Sequence, residues 1–142
     1  MPRQDSLIVL LKTVHQALRA ELDAALRDVG HGLAHQSVMV SLLVAPGASN
    51  AELARAAFVS PQSMNDILGT LLEAGFVTRK PDPDNARILR TSLTARGVAA
   101  VKRAGAELAK VEARLACALS AAEQQQLQDL LRRTLATLTR PT

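Results

Sequence analysis

The stretch "RKPDPDNAR", Arg79 to Arg87, constrains this chain most, because two prolines, two aspartates and an asparagine exclude a helix there, while the surrounding sequence is rich in alanine and leucine. On either side, Phe76 to Lys80 and Ile88 to Leu93 interleave β-branched or apolar residues with polar ones, which is the pattern of two strands. The prediction is a β-hairpin with a stiff polar tip, Pro81 to Arg87. Its prolines lower the entropy lost on ordering the loop, and Arg87 stands out at the tip.

The segments before and after the hairpin read as helices. Leu7, Leu10, Leu11, Val14, Leu18, Leu22, Ala25, Leu26 and Val29 recur every three or four residues from a possible N-cap at Ser6 and stop at Gly30. Val38 to Val44 reads as a buried helix ending at Pro46-Gly47. Ser49 and Glu52 have capping-box spacing and open a short helix through Ala57. Ser60 then caps a helix with Pro61 at its first position, running to Ala74 and closed by Gly75. Its buried side would be Met64, Ile67, Leu68 and Leu71. Two short helices joined by a tight turn make a helix-turn-helix, and the hairpin directly behind it makes the pair a winged helix. Thr94 can cap a helix from Ala95 to about Leu119, and a second capping box at Ser120 and Glu123 opens one through Leu138.

The expected fold class is therefore mainly α with a small β-hairpin wing (α+β). It is a winged helix-turn-helix with N- and C-terminal dimerisation helices, in a single domain over residues 1–142. Residues 34–94 form the winged region, and residues 6–30 and 95–139 form the dimerisation helices. Leu127, Leu130, Leu131, Leu135 and Leu138 make one apolar stripe, and with the first helix it leaves more apolar surface than one thin core covers. Mutual burial in a two-fold homodimer resolves this.

Charge points to the partner. Seven of the 17 basic residues but only two of the 13 acidic ones fall between Arg79 and Arg103, which leaves ten against eleven elsewhere. The whole net charge of +4 sits in that stretch, as expected of a surface that meets a polyanion such as double-stranded DNA. A solvated face that merely aids solubility is the plainer reading of the same pattern. No apolar run approaches the ~20 residues that cross a bilayer, so the expectation is a cytoplasmic protein with no membrane partner. Cys117, the one cysteine, excludes an intramolecular disulfide and reads as a small hydrophobe on a buried helix. No cofactor or metal is expected: His31 and His35 are four apart, but glycines at 30 and 32 interrupt the turn there, and only His15 could join them, with no cysteine nearby. The absence of a phosphate loop, a Gly-x-Ser-x-Gly elbow or a His-Glu-x-x-His run argues against an enzyme.

Two motifs stand out: "SPQSMNDILGTLLEAGFV", and Asn85-Ala86-Arg87 followed by Ile88 to Ser92 and Leu93-Thr94. Through them, and over nearly its entire length, the chain resembles the MarR (multiple antibiotic resistance regulator) family, whose wing signature is Asp-x-Arg, five residues, then Leu-Thr. This resemblance implies a homodimeric DNA-binding regulator of the repressor type on a roughly palindromic operator, with recognition helices about 34 Å apart. Base-reading candidates are Ser60, Gln62, Ser63, Asn65, Asp66 and Thr70, and wing candidates are Arg79, Lys80, Asn85, Arg87 and Arg90. Arginine suits the narrow, electronegative minor groove because its weakly hydrated guanidinium is readily desolvated. The resemblance also implies a small-molecule effector bound between the dimerisation helices and the reading head, for which position suggests His15, Arg19, His31, His35 and Met39. Two departures matter. Asn85 replaces the usual wing aspartate and Asp66 an arginine, which keeps open an alternative in which a winged-helix dimer has lost sequence-specific DNA binding and serves as a ligand-binding or protein-interaction module.

Overall fold

A computed structural model describes residues 6–140. The elements run α1 (Leu7–Leu26), α2 (Leu33–Val44), β1 (Ala48–Ser49), α3 (Asn50–Ala57), α4 (Pro61–Glu73), β2 (Val77–Pro81), β3 (Leu89–Leu93), α5 (Ala95–Ala116) and α6 (Ala121–Thr139). They divide into two compact units, with the boundary after Leu108, within α5.

The first unit is built on α4. Met64, Leu68 and Leu71 recur at helical spacing and are at most 1% exposed, as are Met39 and Leu42 of α2 in the same core cluster. Each such side chain contributes roughly 1.5–3 kcal/mol over its exposed state. Val38, Ala48, Leu53 and Ala54, Phe76, Val77, Ala100 and Val101 complete the cluster, and Ile67 packs against it partly buried. Leu26, Val29 and Ala104 form a smaller cluster with Leu33 and Leu108 at its edge. In the second unit, no residue of α6 is buried in the single chain. Its leucine stripe runs from 42% exposed at Leu127 to 77% at Leu138.

Local chemistry sets most boundaries as expected. At α6 the capping box is complete: the Ser120 amide donates to the Glu123 carboxylate at 2.8 Å, and the Glu123 amide to the Ser120 hydroxyl at 3.2 Å. Ser60 caps α4, Pro61 takes its first position, and Gly75 closes it with φ +76°. Thr94 caps α5 by accepting from the Gly97 amide at 3.0 Å, while its own hydroxyl donates to the Gly75 carbonyl at 2.7 Å.

Other boundaries differ from the sequence reading. α1 stops at Leu26 rather than Gly30, because Arg27 and Val29 make tighter i to i−3 bonds to Ala24 and Leu26. Ser6 occupies the N-cap position of α1 without a side-chain bond. α2 begins at Leu33, five residues before Val38, so His35 is helical and His31 is not. α5 ends at Ala116, not Leu119, and Cys117 is exposed in the turn beyond it rather than on a buried helix; its thiol lies 3.0 Å from the Arg114 carbonyl. The Ser49 cap is half of the predicted box: the serine hydroxyl accepts from the Glu52 amide, but the Glu52 carboxylate faces Arg90 at 3.9 Å instead of returning to Ser49.

The sheet has three strands, in the order β1-β3-β2, all antiparallel. The two-residue β1, which no periodicity signals, pairs Ala48 with Thr91 and Ser49 with Arg90. The hairpin register runs from Val77 opposite Leu93 to Pro81 opposite Leu89.

One backbone contact controls how α5 leaves the wing. A Cβ on Gly97 would stand 2.0 Å from the Phe76 carbonyl oxygen and 3.1 Å from a Leu93 methyl, whereas one on Gly69 of α4 would meet nothing within 4 Å. Gly97→Ala is expected to destabilise the protein by about 2 kcal/mol or more through overpacking. Gly69→Ala should stabilise it by up to about 1 kcal/mol through helix propensity. Urea unfolding of both variants measures the two signs.

Candidate nucleic-acid interface

Burying Met64, Leu68 and Leu71 leaves the other face of α4 outside, so Gln62, Ser63, Asn65, Asp66 and Thr70 are all exposed, as is Ser60 at the cap. Several of these groups are already engaged. The Ser60 hydroxyl accepts from the Ser63 amide and donates to the Ser63 hydroxyl at 3.0 Å. The Asn65 side-chain oxygen accepts from the Asn50 side-chain amide at 2.8 Å, which ties the start of α3 to α4. Thr70 donates to the Asp66 carbonyl at 3.2 Å. The turn between α3 and α4 passes through Phe58, in the left-handed region at φ 54° and 91% exposed.

The wing tip is ordered by Asp82. One carboxylate oxygen accepts from the Asp84 amide at 2.8 Å and the Asn85 amide at 3.0 Å, and the other accepts from the Nε of Arg90. Arg90 also donates to the Gly47 carbonyl at 3.1 Å, so it joins the wing to the segment leading into β1. The Asn85 side-chain oxygen accepts from the Arg87 amide at 3.2 Å, which orients the backbone of Arg87 without pairing its guanidinium. Asp82 and Asn85 thus hold the tip through its backbone amides. Arg87 and Lys80 are exposed, and Arg79 is half-buried with a buried Nε that has no hydrogen-bond partner among the described residues.

Arg87, Ile88 and Leu89 of the wing share a groove of about 300 Å³ with Ser49, Asn50 and Ala51 at the start of α3 and Pro61 at the start of α4. The N-terminus of α4 and the tip arginine therefore open on one side of the molecule.

Of the residues assigned to an effector pocket, the structure brings together two. His31 and His35 line a cavity of about 230 Å³ with Gly30, Gly32, Thr70, Leu71, Ala74 and Phe76. Burial, and then the charge of His31, hold the His35 imidazole below its ordinary value. Met39 is not available to a pocket, being fully buried in the core. His15 and Arg19 are exposed on α1, and Arg19 pairs with Asp23 at 3.6 Å. A neighbouring cavity of about 590 Å³ shares Gly30, Ala74 and Phe76 with the first and adds Arg96 and Arg103. The Arg96 guanidinium lies 5.6 Å from the centre of the Phe76 ring, and Arg103 donates to the Val29 carbonyl at 2.9 Å. The sequence pattern marks Phe76 only as a strand residue, and nothing around it signals its place between two cavities. Among the described residues, no three His, Cys, Asp or Glu side chains are placed to share a metal ion, and no helix is long and apolar enough to cross a membrane.

The hydrogen bond from Arg90, supported by the Asp84 amide, holds the Asp82 carboxyl below its ordinary value, and Asp82 in turn raises Arg90. Because the folded value of Asp82 is the lower one, its contribution to wing order is fully present above the unfolded value of about 4 and is lost as pH falls through the folded value. Amide NMR of Asp84 and Asn85 should be flat between about pH 7 and 5 and change only below about pH 4. Asp82→Ala should speed hydrogen exchange at both amides by about tenfold or more at neutral pH, since local opening then breaks no bond to a carboxylate.

Comparison with known proteins agrees with this geometry. Residues 33–89 match the model of the MarR family. The HTH-type transcriptional repressor Rv2887 of Mycobacterium tuberculosis is 41% identical over 122 residues, spanning 86% of this chain and 88% of that one. Its crystal structure in complex with salicylic acid superposes with a TM-score of 0.72 at 38% identity, over 94% of this chain and 99% of that one. The transcriptional repressor CouR bound to a 23-mer DNA duplex superposes with a TM-score of 0.84 at 25% identity, over 96% and 94%. With a relative this similar along most of both sequences, and with a winged helix built on the matched segment, this chain belongs to the MarR family.

Proposed function

We propose that this chain is a homodimeric, cytoplasmic transcriptional repressor. It reads a roughly two-fold symmetric operator with α4 and the wing, and leaves it when a small molecule binds. The observation that carries the reading is the shared groove. Pro61 at the N-terminus of α4 and Arg87 at the wing tip open on one side, the disposition needed for a helix in a major groove and an arginine in the adjoining minor groove. The similarity to a repressor and to a DNA-bound repressor supports the same conclusion, and the salicylic acid complex of Rv2887 supports a small-molecule effector.

Within this reading the roles divide. Gln62, Ser63 and Asp66 face the bases, and Asn65 contributes through its link to Asn50. Arg87 and Lys80 meet the minor groove and phosphates. Arg79 flanks them, while Arg90 acts indirectly, as the clamp that holds the wing on Asp82 and Gly47. The dimer buries the exposed apolar side chains of α1, such as Leu7 at 76% and Ile8 at 70%, and the stripe of α6. No catalysis and no cofactor enter this account. The rival reading, a winged-helix dimer without DNA recognition, rests on Asn85 and Asp66. Asp82 orders the wing in place of an aspartate at 85, which leaves Asp66 as its support.

Two substitutions test the assignment in opposite directions. Arg87→Ala should weaken operator binding by about tenfold, the loss of one groove arginine with its phosphate neighbourhood. Asp66→Asn should strengthen it several-fold by removing a negative charge that repels the surrounding phosphates, more so at low salt. Operator affinity indifferent to both would move the protein to the rival reading.

A further inference from the structure

Asn50 and Asn65 belong to different helices and meet through their side chains: Nδ2 of Asn50 donates to Oδ1 of Asn65 at 2.8 Å. Two primary amides can pair in either sense, and the two senses leave opposite ends of Asn65 outside. What decides between them is the end of Asn50 that stays behind. Its Oδ1 is buried and has no hydrogen-bond partner among the described residues. Turning both amides over would leave an NH₂ group there instead, two orphaned donors in place of one unused acceptor, and buried donors are the harder groups to leave unpaired. Asn50 is also the first residue of α3, where the positive end of the helix dipole favours an oxygen over an amino group. Asn50 is therefore the donor and Asn65 the acceptor.

The pair stands at the surface assigned to operator reading. Asn50 lines the groove of about 300 Å³ together with Pro61 and Arg87. Asn65 is exposed and lies one helical turn beyond Pro61, on the same face of α4. Because Oδ1 of Asn65 is turned to Asn50, its NH₂ group, on the other arm of the planar amide, is the end turned away. We propose that Asn50 is a positioning residue for base recognition, which fixes the amide of Asn65 so that this side chain meets the major groove as a donor. An asparagine reads adenine with both ends of its amide, the nitrogen giving to N7 and the oxygen taking from N6. With the oxygen held by Asn50 that pairing is lost, and the adenine amino group faces another donor. Guanine offers N7 and O6, both acceptors, at the same edge. The link between α3 and α4 thus turns a side chain suited to adenine into one that favours guanine.

This inference rests on the operator reading of the proposed function, and the test separates the two. DNA selected from a random pool by the unaltered protein and by Asn65→Ala identifies the position in each half-site whose preference depends on Asn65. Guanine should exceed adenine there by about fivefold or more, the lower end of discrimination by a well-formed base contact. In Asn50→Ala, which frees the oxygen, adenine should rise to equal or exceed guanine. In Asn50→Asp the carboxylate only accepts and turns the amide over, so the preference should pass to cytosine and adenine, which carry amino groups. A merely structural link would weaken binding to all sequences together and leave the preference where it was. Asn50 lies outside the hydrophobic core, and urea midpoints check that both variants fold. One measurement needs no variant: hypoxanthine in place of guanine keeps N7 and O6, and the unaltered protein should bind it within about twofold of guanine. An adenine preference in the unaltered protein, or a guanine preference that survives in both Asn50 variants, overturns the assignment and leaves the operator reading in place. So does the absence of any position that depends on Asn65, or a loss with hypoxanthine as large as with adenine. If the folded, unaltered protein enriches no sequence at all, both readings fall.

Discussion

Burial of Met64, Leu68 and Leu71 against Met39 and Leu42 is the constraint on which the rest depends. A helix has one rotation about its axis that satisfies these three side chains, and this rotation leaves Gln62, Ser63, Asp66 and Thr70 outside. The reading surface is therefore the complement of the core and needs no separate device to orient it. The same packing places Leu71 and Ala74 along the His31 cavity, so one helix carries the proposed DNA-reading residues on one side and lines a cavity near its far end. A change felt at the cavity has only a rigid element to cross.

The wing depends on a second, polar constraint. Arg90 pairs with Asp82, bonds the Gly47 carbonyl and approaches Glu52, so a single guanidinium connects the hairpin, the entry to β1 and α3. A planar, permanently charged fork is suited to several acceptors at once, which a lysine could not replace. Its cluster includes two carboxylates, so much of its charge is compensated within the protein. The exposed positive charges of the wing are then Lys80 and Arg87, beside a half-buried Arg79.

How much of this was legible in the sequence follows from the range of the interactions. Helices α4 and α6, their caps and the hairpin rest on contacts within four residues or on strand alternation, and the reading of Ser60, Pro61, Ser120 and Glu123 matches the structure closely. Long-range choices were not visible. β1 is two residues long and exists because β3 offers it partners. Glu52 has the spacing of a capping box but faces the stronger charge of Arg90. Asn50 and Asn65 bond across fifteen positions, with no pattern to announce it. Met39 resembles a pocket residue by position, yet the core takes it whole. Gln36 bonds both His31 and the Val101 carbonyl, sixty-five positions from that glutamine, and only coordinates reveal it. In each case the sequence states which groups are able to interact, and the fold decides which of them meet.

Fluorescence anisotropy across a salt series tests whether this molecule reads DNA. Labelled DNA from the region beside its own gene is compared with unrelated DNA of equal length. Affinity for the first should exceed that for the second, and log affinity should fall linearly with log salt at about 0.9 per phosphate contact, the signature of counterion release. Equal, weak binding to both DNAs would contradict the account and leave the winged helix as a scaffold for another partner.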